Sequence, residues 1–226
     1  MEDRMKLIDK ALKEGRKTLS EYESKQVLTA YQIPVTREIL VDDVKDLTKA
    51  TGEMGYPLVL KGCSFDLSHK TERGLIRVDI RNDKEARAAF EEIMTHMDGS
   101  QKAVLVQEMV DGKRELVIGL TRDAQFGPCV MFGLGGIFTE ILKDISFRIA
   151  PLEKRDALDM MQEIKGHKIL EAVRGMEAAD LDGLAEILIT VGRIGLENEK
   201  VKEIDINPVI ISGSRPVAVD ALVVLS

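Results

Sequence analysis

The 226-residue chain carries 32 basic and 39 acidic side chains, a formal net charge of −7, and no long basic run, which argues against a nucleic-acid binder held by phosphate neutralisation. Its apolar share of 44 % is enough to bury a core, and its length suits one large domain or two lobes sharing a cleft. Cys63 and Cys129 lie far apart without metal spacing, the start from Met1 to Glu14 is charged, and no apolar run approaches a membrane span, so a soluble cytoplasmic chain is expected.

The first elements read as helices. Residues 2–16 form one, ending near Gly15, and the overlapping capping boxes Thr18-Leu-Ser-Glu21 and Ser20-Glu-Tyr-Glu23 start a second that stops before Ile33-Pro34. A short strand follows at Arg37–Val41, then a helix capped by Asp42 or Asp43 and stopped by Gly55. Leu58–Lys61 is a strand, Leu75–Ile80 its return, and Asp83 opens a helix to about Met97. Asp98-Gly99-Ser100 breaks the pattern and marks a lobe boundary, giving an extension over 1–18, a first lobe over 19–99 and a second over 100–226. Beyond it short strands form a meander at Ala103–Glu108, Glu115–Thr121 and Pro128–Phe132, with Ile137–Leu142 after the loop Gly133-Leu-Gly135-Gly136. Helices near Glu153–Lys165 and Asp180–Leu196 precede closing strands at Val201–Ile206 and Pro216–Val224. The order gives an α+β chain with two α+β lobes, and the cleft between them is the expected ligand site.

The densest chemistry lies in Pro57-Leu-Val-Leu-Lys61-Gly62 and the loop that leaves it. A lysine at the end of an apolar strand is costly unless an anion meets it. His69 sits eight residues on, with Asp66 and Lys70 beside it, a set suited to proton or phosphoryl chemistry or to an ordinary polar turn. Gln107-Glu108 ends a strand where free backbone groups read a base edge and Glu108 accepts a hydroxyl proton; a plain surface strand end has the same look. Glu115 faces either a cleft or solvent. Asp205 and Asn207 share a strand face by alternation, and a hairpin returns Asp220 near both. These hard oxygen ligands suit Mg²⁺, although Asn207-Pro208 also reads as a turn. Arg148 holds a phosphate bidentately or is simply exposed. Together these groups supply what a nucleoside triphosphate needs: a cation for phosphates, an edge for the base, an acid for ribose and oxygens for magnesium.

The ordered set resembles the ATP-grasp fold, and within it the nucleotide-binding part of acyl-CoA synthetases of the NDP-forming type. The resemblance rests on Leu19-Ser-Glu-Tyr-Glu-Ser-Lys25 with Ile33-Pro34-Val35, on Ser64-Phe-Asp66-Leu-Ser-His69-Lys70-Thr71-Glu72-Arg-Gly74, on Gly133-Leu-Gly135-Gly136-Ile-Phe-Thr139-Glu140, and on Glu203-Ile-Asp205-Ile-Asn207-Pro208. It implies a subunit using ATP/ADP and Mg²⁺ that converts acyl-CoA, ADP and phosphate to acid, CoA and ATP. A larger CoA-binding α subunit would carry the main phosphohistidine, the two forming a heterotetramer. By position, Lys61 would contact nucleotide phosphates, Gln107 and Glu108 adenine and ribose, Glu115 the nucleotide, and Asn207 with Asp220 the magnesium. His69 would receive the phosphoryl group, with Asp66 or Glu72 holding its tautomer, or would serve only as a hydrogen-bonding lid residue. The chain departs from the pattern at Gln32, Phe65, Leu75 and Ala172 without losing a proposed ligand. Two other readings remain open: an ATP-grasp carboxylate ligase working through an acyl phosphate without a histidine carrier, and a nucleotide-binding regulatory subunit without catalysis. A dinucleotide-binding domain would rest on the glycine loop alone.

Overall fold

Period-two apolar patterning broken by turn residues lays down two separate sheets. The computed structural model describes residues 2–64, 74–97, 102–136, 144–172 and 175–226. In chain order the elements are α1 (Glu2–Lys13), α2 (Glu21–Ala30), β1 (Glu38–Val41), α3 (Val44–Met54), β2 (Leu58–Cys63), β3 (Ile76–Ile80), α4 (Asp83–His96) and β4 (Ala103–Glu108). They continue with β5 (Arg114–Asp123), β6 (Gly127–Leu134), β7 (Ile145–Ile149), α5 (Lys154–Glu163), a 3₁₀ turn (His167–Leu170), α6 (Leu181–Glu197), β8 (Val201–Ser212), β9 (Arg215–Ala218) and β10 (Leu222–Leu225). Among the described residues no helix is long and apolar enough to cross a membrane.

The chain divides into two units. The smaller takes Ser20–Tyr22 and Thr36–Val110. Its four strands run in the order β1-β4-β2-β3, every neighbour antiparallel. One face is apolar because alternation aligns Leu58 and Leu60 with Val104 and Val106, and Leu47, Ala50, Phe90 and Ile93 of the two helices close over it. Both helices start on side-chain caps: Asp43 accepts from the Asp46 amide at 2.7 Å, and Asn82 from the Glu85 amide at 3.0 Å. The opposite face carries Val59, Lys61, Leu105 and Gln107.

The larger unit holds everything else. Its sheet runs β10-β8-β5-β6-β7, with β9 also paired to β8. Leu116, Ile118 and Leu120 line up with Val130, Phe132, Ile204 and Ile206 on one face, and α5, α6 and the N-terminal helices supply Met160, Leu188, Val191, Ile8 and Leu28 to the same core. Helix α6 lies close enough to the sheet that a Cβ on Gly195 would fall 2.5 Å from Leu120 Cδ1 and 2.8 Å from Pro128 Cβ. The N-terminal segment is stitched to the last strands: Thr18 bridges Val224, Val35 bridges Ala218, and the Leu19 amide donates to the Val223 carbonyl at 3.0 Å.

The division differs from the one expected. Residues 1–18 are no separate extension, since Ile8 and Ala11 are fully buried in the larger core. The change of unit falls at Val110–Asp111 rather than at 99–100, because β4 is an inner strand of the small sheet and pairs with β1 and β2. The meander seen in sequence is thus shared between two sheets. Strand β8 does not end at Asn207-Pro208 but continues to Ser212, pairing with β9. The strand expected over Ile137–Leu142 lies outside the described residues, and Ile145–Ile149 forms β7 instead. Gln32, where the resemblance leads one to expect glycine, has φ +65°, a left-handed backbone that glycine adopts without steric cost.

Candidate functional site

Strand β2 is buried from end to end, so Lys61 enters the fold as a cation inside an apolar ladder, between Ile76 of β3 and Leu105 of β4. Its ammonium donates to Glu21 Oε1 at 2.7 Å; Lys61 is 4 % exposed and Glu21 3 %. Burial makes that carboxylate obligatory, because an ion in such a place must be paired. Glu21 was not foreseen as part of the site: it reads in sequence as half of a capping box. Its partner in the second box, Glu23, holds Arg16 through both oxygens, at 2.8 and 2.9 Å. The available signal was the buried lysine itself, which requires an acid from elsewhere in the chain.

The loop after β2 has a firm base. The Gly62 amide donates to the Leu75 carbonyl at 2.8 Å, and Arg77 donates to the Gly74 carbonyl at 2.8 Å while pairing with Glu92. His69 and Asp66 lie on this loop, outside the described residues.

Gln107 and Glu108, adjacent in sequence, are separated by the pleat. Gln107 is buried and sits opposite Val59, on the face that holds Lys61. Glu108 points the other way and is already engaged: its oxygens accept from the Arg37 amide at 2.9 Å and from Arg37 Nε at 2.8 Å. Of the small unit's expected groups, the fold brings together Lys61 and Gln107.

In the larger unit the sheet face opposite its core gathers the acids. Gly119 of β5 stands opposite Asp205 of β8, and alternation adds Glu115 from β5 and Asn207 from β8 to that face. Residues 219–221 cross from β9 to β10 beside it, with the Val219 amide bonded to the Pro208 carbonyl at 3.0 Å, which sets Asp220 next to this group. Burial pushes the Asp205 carboxyl up to about 6, and the charges of Glu203 and Asp220 add to the effect. Glu115 lies against the glycine loop. The Gly135 amide donates to its carbonyl at 2.8 Å, and Gly136, at φ +61°, comes so close that a Cβ there would stand 2.3 Å from Glu115 Oε2.

Arg148 does not join these groups. It stands opposite Val130, on the helix-covered face, and its guanidinium is held by Glu163. A side chain there is on the wrong side of the sheet to meet a phosphate held by Asp205 or Asn207. Arg148 lies within β7, where the pleat decides its direction.

Asp205, Asn207 and Asp220 fit a hard cation. Their donors are oxygens, and Asp205, whose proton affinity is raised by burial and by the charges of Glu203 and Asp220, gains from a divalent charge beside it.

Comparison with known proteins gives the family of the chain. The ATP-grasp domain family matches residues 10–225. The β subunit of acetate–CoA ligase [ADP-forming] I from Pyrococcus furiosus is 44 % identical over 224 residues, covering 97 % of this chain and 96 % of that one. A solved acetyl-coenzyme A synthetase 1 of Candidatus Korarchaeum cryptofilum, in complex with coenzyme A, Ca-AMPCP and HgCl⁺, superposes with a TM-score of 0.95 at 42 % identity, over 98 % of this chain and 99 % of that one. A selenomethionine derivative of that enzyme, bound to coenzyme A and Mg-AMPPCP with its phosphohistidine segment pointing towards the nucleotide site, gives 0.88 at 42 % identity, over 99 % and 100 %. The chain belongs to the ATP-grasp family, in the branch that holds the β subunits of ADP-forming acetate–CoA ligases.

Proposed function

We propose that this chain is the nucleotide-binding subunit of a cytoplasmic ADP-forming acyl-CoA synthetase, working in a heterotetramer with a larger CoA-binding subunit. The reaction is acyl-CoA, ADP and phosphate to acid, CoA and ATP, reversibly. The observation that carries the reading is the buried Lys61 ammonium at the root of the loop that bears His69.

Lys61 binds the nucleotide phosphates, and Gln107 and the strand end at Glu108 hold adenine and ribose. Glu108 reaches a ribose hydroxyl only by releasing Arg37. Glu115 faces the nucleotide from beside the glycine loop. Asp205, Asn207 and Asp220 hold Mg²⁺, which supplies positive charge to the transferring phosphoryl group when bound. His69, neutral at one ring nitrogen, attacks the phosphorus carried by the partner's phosphohistidine as the N–P bond on that partner histidine breaks. The labile N–P bond then passes the group to an ADP oxygen, and the partner's own phosphohistidine links this site to the acyl-CoA site. Asp66 or Glu72 fixes the tautomer of His69.

Calorimetry with Mg-ADP tests the reading. The isolated chain binds with micromolar affinity, Lys61→Met loses at least tenfold, and acid and CoA are not consumed until the large subunit is added. With that subunit present, His69→Asn abolishes turnover; full activity of this variant would favour a ligase that needs no histidine carrier.

A further inference from the structure

The Lys61–Glu21 pair has a consequence for nucleotide affinity. Lys61 is held at 2.7 Å by a carboxylate that is itself almost fully buried. On the same sheet face β4 adds neutral Gln107, and β1 adds Glu38, which stands opposite Gln107 and is bonded to Thr36 Oγ1 at 3.5 Å. Glu21 is thus a fixed anion in contact with the one cation that the phosphate reading requires. A phosphate oxygen that approaches Lys61 meets an ammonium already neutralised, and is repelled by the carboxylate that neutralises it.

We propose that Glu21 is the counter-ion with which nucleotide phosphates compete for Lys61, and that it thereby sets how tightly the nucleotide is held. This rests on Lys61 being a phosphate ligand. In the free chain Glu21 holds and aims the buried lysine side chain. In the complex the phosphates take over that task, and the carboxylate limits their grip, so that both ADP and ATP can leave a site that must run in either direction. Glu21 acts through Lys61 and is a positioning residue, not a catalytic one.

Glu21→Gln keeps an oxygen at the lysine and removes the charge. It is expected to bind Mg-ADP about tenfold more tightly than wild type by calorimetry. Without nucleotide its Tm falls below that of wild type, because a buried ammonium has lost its counter-charge, and saturating Mg-ADP closes the gap. The double variant Lys61→Met/Glu21→Gln shows neither the loss nor the rescue. A residue that only supported the fold would weaken binding when replaced, and would do so in either background; that result, or unchanged affinity, overturns the proposal. Should Glu21→Gln not fold, the lysine ammonium ¹H–¹⁵N spectrum of the wild-type chain decides. The Lys61 signal, identified by its loss in Lys61→Met, moves on Mg-ADP addition if phosphates take the ammonium, and a stationary signal overturns the proposal. If Lys61→Met leaves Mg-ADP affinity intact, the reading of Lys61 falls and this inference with it. If Lys61→Met loses binding while Glu21→Gln fails to tighten it, this inference alone falls.

Discussion

Asp205 has its proton affinity raised by burial and by two neighbouring acids, and this has a measurable sign. Its native value of about 6 lies above the ordinary 3.8, so between those values the folded chain holds more protons than the unfolded one. The contribution of this group to stability therefore declines as pH rises through that window. With magnesium chelated, Asp205→Asn is expected to gain about 1–3 kcal/mol over wild type between pH 4 and pH 7, read from urea unfolding at each pH. The difference between the two proteins is the right quantity, since Asp79, Glu92, Asp123 and Glu163 have lowered values and act in the opposite direction in both. A pH-independent difference would show that Asp205 is not the strained acid. At this scale the sequence reveals Lys61, because an apolar run makes its burial evident, and it reveals Asp205 with Asn207 by alternation. It conceals Glu21, whose partner lies forty positions away on another element, and it misdirects on Arg148, since the direction of an arginine near a strand end depends on where the strand begins.

Among the elements, α6 shows two local preferences in conflict. Glycine inside a helix costs about 1 kcal/mol relative to alanine. At Gly195 that gain is unavailable, because a methyl group would overlap Leu120 and Pro128 at 2.5 and 2.8 Å. Overpacking of this kind costs about 1–3 kcal/mol, so Gly195→Ala should lower stability despite better helix propensity. Chemical denaturation checks it, and a stabilised variant would mean that the helix can lift away without loss. Helices are legible here because capping residues and 3.6-residue periodicity are local. Strands β2, β4 and β5 are legible from alternation. The full reach of β8 is not: its second half is strand because β5 and β9 flank it, which no local pattern near Asn207-Pro208 declares.

For the whole molecule, the lobe count was readable but its boundary was not. Asp98-Gly99-Ser100 looks like a border because it is polar and glycine-bearing, whereas sheet membership is decided by pairing. β4 belongs with β1 and β2 through its backbone, and its sequence resembles that of the strands that follow it equally well. The same limitation hid the place of α1 and α2 in the larger core, whose other members lie mostly beyond Asp111.

The stitching of the N-terminal segment to β9 and β10 dictates an order of assembly. The small sheet draws all its strands from the one stretch Thr36–Val110. The larger unit cannot finish until the segment around Thr18 has found Val224, from opposite ends of the sequence. Long closures are entropically slow, so pulse-labelled hydrogen exchange during refolding should protect the amides of β2 and β4 before those of Leu19 and Leu225, which bond across this junction to the Val223 and Lys17 carbonyls. Simultaneous protection would mean that the two sheets form as one cooperative event. A chain caught in the interval holds a completed small sheet and an uncovered apolar core, and that core is the surface through which it would aggregate or recruit a chaperone.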